Sequence, residues 1–327
     1  MKSTFFTSKI KFIVLLHIFF IICTGFLFSH SNPDNDDDNT SLRIANETIM
    51  PPFFTGTQIN IIQDSTHSLF PFFEKLMMIR DIKNIEKPVV RIVHIGDSHV
   101  RSHRFTPALN FRLTEIFGNA ATGFIDGYKS SGIVEENGLP GIVSHCIGIN
   151  GATSKNFLDD KYINEVRKLN PDLIIISLGT NESLGRYDSL YHYNMMENLF
   201  SLLKEECPNS TILYTTPPGA FKTKYSRARR RRNRKIISVT ENNTTKNVAS
   251  TIMQFAADHN VACWDLFNIA GGDKYACKNW LDGNYYQNDK LHFIVDGYEL
   301  HGNLLYEALI TSYNEYILSR YEHELAE

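Results

Sequence analysis

Four short segments of this 327-residue chain place reactive or polar residues where apolar runs end or a turn precedes a helix. In the first, the run Val89 to Ile95 leads into Gly96-Asp97-Ser98-His99. A serine just past a buried strand and a glycine sits on a tight turn, with its hydroxyl exposed and its N–H free to face an oxyanion. The second, Gly148-Ile149-Asn150-Gly151-Ala152, has glycines that let backbone approach a ligand closely. The third, Ser177-Leu178-Gly179-Thr180-Asn181-Glu182, closes the most apolar run of the chain with an asparagine whose amide can donate to developing negative charge. In the fourth, Asn288-Asp289-Lys290-Leu291-His292-Phe293, a carboxylate and an imidazole three residues apart share one turn. The acid there can hold the tautomer that takes a proton from serine. Each segment alone also reads as ordinary turn chemistry, and Asp64 with His67 repeats the Asp-x-x-His spacing at a position better suited to helix capping.

Such groups act together only if the chain brings them to one edge. From about Ser65 short apolar runs alternate with longer amphipathic stretches, the signature of βαβ units. Strands are predicted over Val89–Ile95, Ile142–Ile147, Leu173–Leu178, Thr211–Thr215 and Val261–Trp264. Helices are predicted over Ser68–Ile82 and near 104–117, 155–169, 188–206, 240–259 and 296–320. A run as apolar as Leu173–Leu178 is buried on both faces, as in a parallel sheet covered by helices. The expected fold is an α/β, three-layer α/β/α sandwich with a parallel five-stranded sheet, and in such sheets chemistry collects where strands end and turns begin.

In this order the four segments resemble the serine, glycine, asparagine and histidine blocks of the SGNH, or GDSL-type, hydrolase family, over roughly residues 65–320. The resemblance implies that family's flavodoxin-like fold, with Ser98 as nucleophile, His292 as general base and Asp289 as its orienting acid. It also implies an oxyanion hole from the N–H groups of Ser98 and Gly151 and the side chain of Asn181. The stretches His94 to His99, Phe117 to Phe124 and Gly148 to Ser154 are similar to those of exported bacterial peptidoglycan or polysaccharide O-acetylesterases. Such relatives often carry a carbohydrate-binding β-domain between the serine and glycine blocks. Here 52 residues separate Ser98 from Gly151, too few for the helix near 104–117 and a β-sandwich of ~100 residues. The expected activity is therefore hydrolysis of O-acyl esters, O-acetyl esters foremost, on a cell-envelope or other glycan or on a small ester. An acyltransferase passing the acyl group to a sugar hydroxyl, and a noncatalytic glycan-binding envelope protein, are the alternatives.

Composition agrees with a globular enzyme: 43% of residues are hydrophobic and 21% charged. A net charge of -3 argues against a dedicated nucleic-acid binder. Lys2, Lys9 and Lys11 precede 17 uncharged residues, Phe12 to Phe28, which read as a secretory signal within residues 1–31. An uncleaved anchor at a membrane is the alternative, since ~20 apolar residues span a bilayer. Either way the chain is exported, to a periplasm, an envelope or the medium. Residues 32–64, opening with the acidic stretch Asn32 to Thr40, are read as linker and N-terminal extension, and 65–327 as one hydrolase domain.

Several features stay outside this scheme. His94, Asp97, His99 and His103 crowd together, but no second cluster at ligand spacing supports a metal, so neither metal nor cofactor is expected. Of the four cysteines past the leader, Cys263 and Cys277 would close the shortest disulfide loop, with buried free thiols the equal alternative. The basic run Arg227 to Lys235 is read as a solvated loop and helix start or a brace of the active-site rim, with contact to an anionic glycan or a membrane headgroup as the alternative. Trp280, in the loop before Asp289, is a candidate to stack on a sugar ring, although such tryptophans more often cap a core.

Overall fold

Residues 42–122, 132–227 and 235–324 are described in the computed structural model. The chain divides into two units, Met1–Arg43 and Ile44–Glu327, and every element below belongs to the second. The N-terminal apolar run lies outside the described residues, among which no helix is long and apolar enough to cross a membrane.

In chain order the strands are Ile62–Gln63 (β1), Val89–Gly96 (β2), Gly141–Gly148 (β3), Leu173–Ser177 (β4), Thr211–Thr215 (β5), Phe221–Arg227 (β6), Lys235–Glu241 (β7) and Ala262–Trp264 (β8). The helices are Phe70–Arg80 (α1), Ser98–Arg101 (α2), Phe105–Phe117 (α3), Asp160–Lys168 (α4), Thr180–Leu184 (α5) and Ser189–Glu206 (α6). Thr245–Asp258 (α7), Leu266–Ile269 (α8), Gly272–Asp282 (α9) and Val295–Glu324 (α10) complete them.

The main sheet has the order β1-β8-β5-β4-β2-β3. Its five inner-to-edge strands β8, β5, β4, β2 and β3 run parallel, and β1 joins β8 antiparallel through Ile62–Trp264 and Gln63–Cys263. The sheet is thus six-stranded, not five-stranded. The missed strand is two residues long, too short for periodicity to mark, and lies in what the sequence assigns to the N-terminal extension. The chain returns from β3 to the other side of β2, so the strand order reverses there. A crevice opens at such a reversal, beyond the carboxyl ends of the strands.

The sheet buries both faces. On one, Val93, Ile95, Ile174, Ile176, Ile212 and Tyr214 pack against Ile163 and Val166 of α4, Met196, Leu199 and Leu203 of α6, and Val248, Ile252 and Phe255 of α7. On the other, α3 and α10 pack together, with Ile92, Leu109, Leu113, Leu304 and Leu305 buried. Full burial of one such side chain is worth about 1.5–3 kcal/mol, which is why these doubly covered strands carry almost continuous apolar sequence.

Further expectations change. The helix placed near 240–259 starts at Thr245, because Lys235–Glu241 pairs antiparallel with Phe221–Arg227. The helix near 155–169 is interrupted at Asp159, whose carboxylate accepts the N–H of Lys161 and starts α4 there, after a 3-10 turn over Ser154–Leu158. The basic run is flanked by strands and not by a helix start, and its residues 228–234 lie outside the described residues. Cys146, Cys207, Cys263 and Cys277 are all free thiols, so Cys263 and Cys277 form no bridge. Asp64 accepts the N–H groups of Ser68 and Leu69 just before α1, and the His67 ring stacks on Phe70.

Candidate active site

The β2 strand delivers Ser98 to the crevice. A Cβ on Gly96 would lie 2.5 Å from the Ser177 carbonyl oxygen and 2.4 Å from Val100, so only glycine lets β2 end this close to β4 and α2. Asp97 then caps α2, its Oδ1 accepting the N–H of His99 at 2.8 Å. Ser98 follows as the first residue of α2, half-buried.

The residues 286–293 form a tight loop ahead of α10. Tyr286 bridges Phe293, Gln287 N–H donates to the His292 carbonyl at 2.8 Å, and Lys290 adopts a left-handed φ of 54°. Within it Asp289 Oδ1 accepts the N–H groups of Leu291 and His292, both at 3.0 Å. Its Oδ2 lies 2.7 Å from His292 Nδ1, and His292 Nε2 lies 2.9 Å from Ser98 Oγ. Partial burial raises the Asp289 carboxyl, but its bonds to the His292 ring and the two N–H groups outweigh that and hold it below its ordinary value. Ionised, it keeps the proton on Nδ1 and leaves the Nε2 lone pair facing the serine hydroxyl.

The glycine and asparagine segments meet at the same edge. Ile149 N–H donates to the Gly96 carbonyl at 3.0 Å, which ties the loop after β3 to the end of β2. Gly151, exposed on that loop, has φ 74°, a left-handed conformation that favours glycine. Asn181 Nδ2 donates to the Ala152 carbonyl at 2.9 Å and to Asp97 Oδ2 at 3.3 Å. The residues either side of Ser98, Asp97 and His99, line a small cleft with Ser177, Thr180, Thr215 and His301.

Trp280 is not at this site. It is fully buried, its indole N–H donates to the Pro218 carbonyl at 2.8 Å, and it packs on Phe54 and Phe293. The sugar-stacking expectation fails because the ring has no surface to offer. The four residues weighed as metal ligands also go separate ways. His94 spends Nε2 on Ser177 at 2.7 Å and Nδ1 on Thr106 at 2.9 Å, and among the described residues no group of three or more His, Cys, Asp or Glu is placed to hold a metal ion.

Two neighbours escaped the sequence reading. Glu182 is buried, accepts the Ser154 N–H at 3.1 Å on Oε1, and leaves Oε2 unpartnered among the described residues. Burial pushes it up to about 7, with Asp97 adding to the rise, and burial likewise pushes Asp97 up to about 7. Its place directly after Asn181 was the available signal. Tyr298 on α10, whose hydroxyl lies 3.2 Å from His99 Nδ1, gave none.

The chain is similar to known proteins. The GDSL-like lipase/acylhydrolase family matches residues 113–300, which include Gly151, Asn181, Asp289 and His292 and begin after Ser98. A solved peptidoglycan O-acetylesterase superposes with TM-score 0.64 at 17% identity, covering 78% of this chain and 99% of that one. A GDSL-like lipase from Bacteroides thetaiotaomicron VPI-5482 gives TM-score 0.41 at 18% identity over 74% of this chain and 99% of its own. A psychrotrophic esterase from Pseudoalteromonas sp. gives 0.44 at 15% identity over 68% and 98%. No curated protein matches the sequence. The matched family spans more than half of the chain, and the chain is accordingly a member of the GDSL-like lipase/acylhydrolase family, an enzyme that hydrolyses esters.

Proposed function

We propose that this enzyme is an exported serine esterase that removes O-acyl groups, O-acetyl foremost, from a cell-envelope or other glycan. The observation that carries the reading is the chain of contacts from Asp289 through His292 to Ser98, 2.7 and 2.9 Å long. Ser98 Oγ attacks the ester carbonyl carbon while His292 Nε2 takes its proton, and Asp289 stabilises the imidazolium that forms. The oxyanion is received by the N–H groups of Ser98 and Gly151 and by the amide of Asn181. Collapse expels the sugar alkoxide, which takes the proton from His292 and leaves an acyl-Ser98 ester. Water, deprotonated by His292, attacks that ester, and the carboxylic acid leaves as the serine hydroxyl is restored.

Substrate class rests on the cleft and the neighbours. The cleft beside Ser98 is small and lined mostly by apolar side chains, Phe105, Leu178, Pro217 and Leu266 among them, which suits a short acyl group better than a long alkyl chain. The structural neighbour with TM-score 0.64 is a peptidoglycan O-acetylesterase. The basic and apolar leader supports export. The test is acetate release from acetylated peptidoglycan and polysaccharides by the wild type, Ser98→Ala and His292→Ala, with and without a sugar acceptor. Both variants are expected to fold and to lose at least about 1000-fold in kcat. Full activity in folded Ser98→Ala ends the reading, and acyl transfer to the acceptor in place of acetate release turns it into an acyltransferase.

A further inference from the structure

Gly151 stands on a loop whose flanks are tied down and whose tip is bare. Ile149 N–H is spent on the Gly96 carbonyl at 3.0 Å and Ala152 N–H on the Ile149 carbonyl at 3.1 Å, which closes a turn around Gly151. Apart from its chain neighbours, no atom lies within 4 Å of where a Cβ on Gly151 would stand. The direction of its N–H is therefore set by the residues on either side and not by packing on the tip. On the far side Ala152 and Ser154 are buried, and α5 holds both. Asn181 Nδ2 donates to the Ala152 carbonyl at 2.9 Å, and Glu182 Oε1 accepts the Ser154 N–H at 3.1 Å. Glu182 is braced in turn. Its Oε1 lies 3.8 Å from His192 Nε2 on α6, whose Nδ1 lies 3.2 Å from the Tyr187 hydroxyl, and that hydroxyl donates to Thr251 Oγ1 on α7 at 2.7 Å.

We propose that Glu182 is a positioning residue for ester hydrolysis: by accepting the Ser154 N–H it holds the loop on which Gly151 presents its own N–H to the oxyanion formed at Ser98. The inference rests on the reading of Ser98 as nucleophile and of Gly151 as an oxyanion donor. Glu182 touches no reacting atom; it acts through the backbone of residues 151–154. A carboxyl only 9% exposed, with Oε2 unpartnered among the described residues, costs the fold stability. What it does there that an apolar side chain of its length could not is accept the Ser154 N–H.

The experiment compares Glu182→Gln, Glu182→Met, Ser154→Pro, Gly151→Ala and the double variant G151A/E182M on p-nitrophenyl acetate, with Ser98→Ala as reference. Glu182→Met keeps the length of the side chain and removes the acceptor. Ser154→Pro removes the donor of the same bond, and carries the test should Glu182→Met not fold. It falls at the first residue of the 3-10 turn, where proline is tolerated, after a Thr153 that already has extended backbone. Each is expected to keep KM within about threefold while kcat falls about 10- to 100-fold, a part of the 100- to 1000-fold effect of losing one oxyanion donor outright. Glu182→Gln, whose amide oxygen still accepts the N–H, is expected to restore kcat to within about threefold of the wild type. In the Gly151→Ala background, where a Cβ at φ 74° already displaces the donor, Glu182→Met is expected to cost less than about threefold further. Wild-type kcat in folded Glu182→Met or Ser154→Pro, a Glu182→Gln as slow as Glu182→Met, or full additivity in the double variant overturns the inference. Those outcomes beside an inactive Ser98→Ala leave the esterase reading standing, whereas an active Ser98→Ala removes both.

Discussion

The Asp289 side chain is half exposed, yet it accepts two backbone N–H groups and the His292 ring within one turn. Its contribution to turnover is therefore orientation of an imidazole that is itself only partly buried. Replacing Asp289 by alanine frees the ring to rotate and removes the ionised partner of Nδ1–H, so kcat is expected to fall by about 100- to 10,000-fold. Steady-state kinetics with a soluble acetyl ester measure this, and a fall below threefold contradicts the role. The convergence of Ser98, Asp289 and His292 was legible only through the order of the four blocks and the family they resemble, since Asp289 and His292 sit in a loop between two helices and not at a strand end. Trp280 was misread because an indole buried under Phe54 and one exposed on a rim look alike in sequence. Contacts such as Tyr298 to His99, 199 residues apart, leave no local pattern to read.

Elements were legible where burial dictates composition. Leu173 to Ile176 are buried on both faces, and no residue order but an apolar run satisfies that. Residues 44–63 followed no such rule. They are held by scattered polar anchors: Asn60 accepts the Trp264 indole N–H at 2.8 Å and donates to the Leu304 carbonyl at 2.8 Å. Asn314, buried on α10, binds both sides of Ile44, accepting its N–H at 2.9 Å and donating to its carbonyl at 2.7 Å. The compact unit runs from Ile44, and its first segment is held by single asparagines that periodicity does not reveal. Asn314→Ala would strand two buried backbone groups, so a loss of about 1–3 kcal/mol in unfolding free energy is expected, with kcat unchanged. Urea melts paired with kinetics check both halves, and an unshifted midpoint removes the anchor.

Taken as a whole, the molecule buries ionisable groups in numbers that make its stability depend on pH. Burial pushes His94 and His99 down to about 3 and His145 and His192 down to about 4, and it lowers His103 and His301 as well. An unfolded imidazole takes a proton near 6.5, whereas these remain neutral in the folded chain. Below about 6.5 the unfolded state therefore binds more protons, and the stability these six groups contribute is lost as pH falls toward 4. Asp97 and Glu182 act in the opposite sense. Raised to about 7 by burial, they bind protons in the fold that an unfolded carboxylate has released above about 4.5, so they lose stability as pH rises through that window. Six imidazoles outweigh two carboxyls, and the net direction between 6.5 and 4.5 is destabilisation on acidification. Thermal melts at fixed ionic strength should show Tm lower at pH 5 than at pH 7 by about 5 °C or more. His301 allows the cause to be separated from general acid damage: its ring lies among Phe293, Trp280 and Phe105, and its Nε2 has no partner among the described residues. His301→Leu removes one proton uptake without stranding a polar partner there, so the gap between the two Tm values should shrink. An equal Tm at the two pH values in the wild type, or an unchanged gap in the variant, would show that these imidazoles do not govern the acid limb.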